Sequence, residues 1–102
     1  MNIEEFKTEL EARLIIEKEY LIQEIVSRDH EEKLELLGIF NGKYRDLVRR
    51  LAGEEGIDLN APYQPEVPSE SETLTYEQII LGKTMSVYDR LSDELYEEIT
   101  NV

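Results

Sequence analysis

Apolar residues between positions 3 and 26 recur at helical spacing, and this periodicity limits the possible folds more than any other feature of the chain. Ile3, Phe6, Leu10, Leu14, Leu21 and Ile25 fall within about 100° on a wheel of 3.6 residues per turn. Ile15, Ile22 and Val26 form a second stripe beside the first and widen the apolar face toward half the circumference. No segment shows sustained two-residue alternation, so the expected class is all-α. A helix with one neighbour needs a narrower stripe. The width here implies two packing partners, drawn from this chain or from a second copy.

Local signals place the remaining elements. Asn2 and Glu5 resemble a capping box, which starts a first helix expected over about 3–37. Between Ser27 and Glu35 the apolar content falls to Leu34 alone, a stretch read as solvated or frayed helix. Gly38 is a plausible stop, and Asn41-Gly42 is a turn signal that starts a second helix over about 42–52. That helix carries Tyr44, Leu47, Val48 and Leu51 on one face and Lys43, Arg45, Arg49 and Arg50 on the other. Gly53 and Gly56 are expected to end it. Residues 53–74 read as a linker, because Pro62, Pro65 and Pro68 each remove a backbone donor and disfavour helix. Ile57, Leu59, Tyr63 and Val67 are spaced to pin it across the helices. Thr75 and Gln78 form a T-x-x-Q capping box, with Leu74 and Ile79 placed for a hydrophobic staple, so a third helix is predicted over about 76–100. Its core stripe is Ile80, Val87, Leu91 and Leu95.

Three helices of such unequal length cover one another poorly in a chain of 102 residues. An elongated bundle completed by a homodimer is therefore expected within a single helical domain, with Leu10, Leu14, Ile15, Leu21, Ile22 and Ile25 forming the self-association face.

Charge is placed unevenly. The formal net charge is −13. Residues 1–52 carry 12 acids against 9 bases, a net −3, whereas residues 53–102 carry 12 acids against only Lys83 and Arg90, a net −10. A balance this negative argues against direct nucleic-acid or anionic-membrane binding by the whole surface. The absence of Cys removes disulfides, thiol catalysis and thiolate metal sites. With no apolar run of membrane-spanning length and no signal-peptide core after Met1, a cytoplasmic location is expected.

Motifs for chemistry fail on spacing. A di-metal carboxylate site needs Glu-x-x-His pairs, but His30 is the only histidine and Ser27 stands where the Glu should be. Asp58–Asn60 starts like a calcium loop, and Pro62 breaks the pattern. Leu81–Thr84 reads L-G-K-T, yet Glu77 occupies the place of the first glycine of a phosphate loop and no strand precedes it. No catalytic residue, cofactor or metal is expected, and the chain is read as a non-enzyme.

The leading functional expectation is an acidic protein–protein interaction module, in the form of an inhibitor or nucleic-acid mimic of the phage type. Its partner is a basic, nucleic-acid-handling protein, and the contact residues are Tyr63, Glu70, Glu72, Glu77, Asp89, Asp93, Glu94, Glu97 and Glu98. A structural or adaptor oligomer acting through the apolar face of the first helix is the alternative. A second alternative treats the Gly38–Gly42 turn as part of a helix-turn-helix, with Lys43, Arg45, Arg49 and Arg50 on nucleic acid.

Overall fold

A computed structural model of the chain describes residues 2–63 and 74–101. The architecture is all-α, with α1 at Ile3–Glu24, a 3-10 turn at Ile25–Ser27, α2 at His30–Glu54 and α3 at Tyr76–Thr100. Among the described residues no helix is long and apolar enough to cross a membrane.

The expected capping box closes α1: Asn2 Oδ1 accepts from the Glu5 amide at 2.8 Å, and the Glu5 carboxylate reaches back to the Asn2 amide. The far end corrects the expected 3–37 helix. The chain tightens into a 3-10 turn, with the Ser27 hydroxyl donating to the Glu24 carbonyl at 2.9 Å, and Arg28 is extended. Asp29 then caps a new helix by accepting from the Glu32 amide at 2.9 Å. Glu31 and Glu32 in the first turn favour the positive helix end. The sequence Ser27–Glu35 is thus a break and a start, where a continuous solvated helix was expected.

The second correction follows. Gly38, Asn41 and Gly42 stop nothing, because α2 runs straight through them. Leu36, Phe40, Tyr44, Leu47, Val48 and Leu51 form one buried stripe across the supposed turn. Each internal glycine costs about 1 kcal/mol relative to Ala, whereas burying a single Leu or Phe side chain contributes about 1.5–3 kcal/mol. The stripe outweighs both glycines.

The end of α2 is a complete Schellman motif. The Ile57 amide donates to the Ala52 carbonyl at 2.8 Å and the Gly56 amide to the Gly53 carbonyl at 3.3 Å. This geometry requires a left-handed residue between them, supplied by Gly56 at φ 67°. The reversed chain brings Ile57 and Leu59 onto the core and runs residues 59–63 past the start of α3. There the Leu59 carbonyl accepts from the Glu77 amide and the Ala61 carbonyl from the Tyr76 amide, both at 3.0 Å. Together with the Thr75–Gln78 capping box, these bonds satisfy donors that a helix N-terminus otherwise leaves open. Val67, Pro65 and Pro68 lie outside the described residues.

Tyr44 meets Thr84 and Asn41 meets Tyr88, so α2 and α3 run antiparallel. Phe6, Leu10 and Leu14 of α1 join Phe40 and Leu51 of α2 and Ile80, Leu91 and Leu95 of α3 in one core. The only buried polar side chain in it is Thr84 among the described residues. Its hydroxyl donates to the Ile80 carbonyl at 2.7 Å, so the Tyr44 hydroxyl, 2.7 Å away, is the donor between the two. Burial pushes the Tyr44 pKa up and keeps that proton in place.

Candidate functional site

The outward side of α3 carries a row of carboxylates. Asp89, Asp93 and Glu97 are spaced four residues apart, placing successive acids about 6 Å apart along one face. All three are exposed, as is Glu98 in the last turn, about 100° around the helix from Glu97. None of the four takes part in an ion pair among the described residues. Asp89, Asp93 and Glu97 face outward because Ile80, Val87, Leu91, Leu95 and Ile99 take the opposite side into the core. Tyr96 stands beside Asp93 and Glu97 with half its surface exposed. It is the exposed aromatic side chain on this face that the sequence expectation of Tyr63 did not include, although its position three residues after Asp93 is a signal for it.

Other expected contact residues have different surroundings. Glu94 binds the Lys18 ammonium at 2.6 Å, which holds its carboxyl below the usual range. It ties α3 to α1 and is not free to meet a partner. Glu77 is exposed at the start of α3. Tyr63 is not the exposed anchor expected from its flanking prolines. It is half-buried edge-on against Tyr76, with centroids 5.3 Å apart, and its amide donates to the Leu74 carbonyl at 2.7 Å. Glu70 and Glu72 lie outside the described residues.

The expected self-association face is largely consumed within the chain. Leu10, Leu14, Leu21 and Ile25 are buried in the core shared with α2 and α3, which removes them from any surface contact. Ile22 is half-buried and Ile15 is exposed. Non-local ion pairs flank α1. Glu11 meets Arg90 at 2.8 Å and Lys18 meets Glu94 on the α3 side. On the opposite flank, Arg13 grips both oxygens of Glu54 and also pairs with Glu9 at 3.0 Å. Arg13 thereby lowers the Glu54 pKa.

The four bases of α2 do not form one nucleic-acid-reading face. With the Gly38–Gly42 turn replaced by helix, the helix-turn-helix geometry loses its premise. Lys43 and Arg50 lie about 130° around α2 from Arg45 and Arg49. The latter pair borders a groove of about 260 Å3 between α2 and α3, opposite Glu77 and Asp89. Val48, Leu81 and Met85 line it together with Tyr44 and Tyr88, whose rings stack at 4.6 Å. Asn41, expected as a helix cap, instead donates to the Tyr88 hydroxyl at 3.0 Å. Among the described residues no group of three or more His, Asp or Glu side chains is gathered to hold a metal ion.

A scan against protein-family models and searches of curated proteins and of solved structures return no match.

Proposed function

We propose that this chain is a non-enzymatic interaction module whose acidic α3 face engages a basic protein. The observation that carries this reading is the exposed row Asp89–Asp93–Glu97, without an ion pair among the described residues and accompanied by the exposed ring of Tyr96. Several acids elsewhere meet bases of the chain, Glu9 and Glu54 on Arg13, Glu11 on Arg90, Glu24 on Arg28, and Glu94 on Lys18, while others such as Glu31, Glu32 and Glu35 are likewise without an ion pair among the described residues. The α3 row stands apart from those pairs. A helix holds such carboxylates at fixed spacing, so a partner meets a preorganised anionic surface. Occupation of a basic groove that otherwise binds nucleic acid, as an inhibitor or mimic, is the form of this function that the charge favours. A cytoplasmic homodimer remains part of the proposal, although its interface cannot use the buried stripe of α1.

Affinity capture from the native host tests the reading, using the wild-type chain and an Asp89→Lys/Asp93→Lys/Glu97→Lys variant as baits. The expected result is a basic, nucleic-acid-handling protein that elutes in moderate salt and is absent from the variant. Recovery of the same protein by both baits, or retention of an acidic partner in high salt, contradicts it.

The exposed outer side of α1 favours a second reading, an adaptor that works through apolar contact. Ile16 and Tyr20 remain about two-thirds exposed there.

A further inference from the structure

α1 is apolar on two sides, and only one of them is used. Its inner stripe fills the core. On the outward side, Ile16 is 67 % exposed, Tyr20 63 %, and Val26, in the 3-10 turn, 84 %. Ala12, Ile16 and Tyr20 follow one another at four-residue spacing, so they form a line rather than scattered exceptions, with the exposed edge of Ile15 beside it. From Ala12 to Tyr20 the line covers about 12 Å at 1.5 Å per residue, and Val26 lies off it beyond the end of α1. Isolated apolar side chains on a surface are ordinary, but an aligned stripe of this length marks a contact surface.

The charges around the stripe narrow what can cover it. Glu5, Glu9 and Glu19 lie within about 60° of its centre line on the helical wheel, and Arg13 is the single base that does. Lys7 and Lys18 point to the core-side flank. Arg13, at the other edge, is already held by Glu9 and Glu54. A second copy docked by a two-fold axis would set this net acidic border against its own counterpart, with only the already shared Arg13 to offset it. An anionic membrane surface meets the same repulsion.

We infer that the outer face of α1 is a docking site for an amphipathic helix whose apolar stripe is bordered by Lys or Arg. Ile16 and Tyr20 are its anchors, with Ala12 leaving room for a large side chain of the partner. The partner helix needs two to three turns to match the stripe, about 11–16 Å. This surface is separate from the acidic row of α3 and is testable without it.

The test uses synthetic helical peptides, because the chain contains no Trp and a single Trp in the peptide reports binding alone. One 18-residue peptide carries a Leu stripe bordered by Lys, and a second carries the same stripe bordered by Glu. Titration of the wild-type chain into the Lys peptide should give saturable binding, and the Glu peptide should bind at least tenfold more weakly. Ile16→Ser/Tyr20→Ser, which changes no charge, should weaken the Lys peptide at least tenfold while leaving the melting curve in place. Asp89→Lys/Asp93→Lys/Glu97→Lys, on α3, should leave most of the binding intact. Equal binding by the Ser variant and wild type overturns the inference, as does equal binding of the two peptides. Loss of binding in the α3 variant alone assigns the peptide to the acidic row and overturns it too. A wild-type dimer in sedimentation that the Ser variant abolishes shows that a second copy is the occupant.

Discussion

α1 and α3 are helices of similar length built on opposite plans. α3 divides cleanly, with Ile80, Val87, Leu91, Leu95 and Ile99 inside and Asp89, Asp93 and Glu97 outside. α1 has no such division, since Leu14 is fully buried while Ile15 and Ile16, its next two residues, are exposed. The contrast teaches that apolar periodicity counts the faces a helix offers without saying which are used internally. In α1 most of the stripe expected to meet another molecule meets α2 and α3, while Ile15 of that stripe is left exposed together with Ile16 and Tyr20, which were assigned to no face. In α3 the division of labour leaves charge, with one tyrosine and the half-exposed Met85, for a partner to recognise.

The largest expected effect separates the inner side of α1 from the outer. Leu14→Ala should destabilise the chain by about 2–5 kcal/mol, the usual cost of emptying a fully buried leucine site, read as a lower denaturation midpoint at unchanged slope. A loss below about 1 kcal/mol would place Leu14 at a surface and break the comparison. A smaller effect is expected where α1 hands over to α2. Asp29→Ala removes the cap that lets α2 start there, at a cost of about 1 kcal/mol, and amide exchange should quicken at Glu31 and Glu32.

The ion pairs between the helices sharpen the comparison by pH. Lys18 holds the Glu94 carboxyl, and Arg13 the Glu54 carboxyl, below the ordinary value of 4.5. A folded-state pKa below the unfolded one adds stability that is present above that value and is lost as pH falls through the lowered pKa. Glu94→Gln should therefore narrow its gap from wild type as pH is taken down from 5, and a gap that stays constant would remove Glu94 from the acid response. The smallest effect belongs to the outer stripe: Ile16→Ser should change stability by no more than about 0.5 kcal/mol. A larger loss would mean that Ile16 packs within the chain.

Legibility in the sequence followed the range of the forces involved. α3 was readable because cap, staple and core stripe are all local and agree. The Asn2–Glu5 box was readable for the same reason. The boundary at Arg28–Asp29 was masked by the charged run around it, in which Asp29 looked like one more solvated acid and not the cap of a helix. Gly38 and Asn41-Gly42 carried turn chemistry that a buried stripe from Leu36 to Leu51 overrode, and that stripe forms only when α1 and α3 are in place. The acid row of Asp89, Asp93 and Glu97 was visible from spacing alone. The commitment of Glu94 to Lys18 was not, since the two are 76 residues apart in the chain. Nor could spacing show that Tyr63 rests on Tyr76 while Tyr96 stays exposed.

Central to the account is that carboxylates of α3 meet a basic partner. The salt dependence of the dissociation constant for the captured partner tests this most directly, measured side by side for wild type and the Asp89→Lys/Asp93→Lys/Glu97→Lys variant. The account predicts that wild-type affinity falls steeply as salt rises and that the variant loses both the affinity and the slope. A wild-type affinity indifferent to salt, or a variant that binds as tightly as wild type, would contradict it.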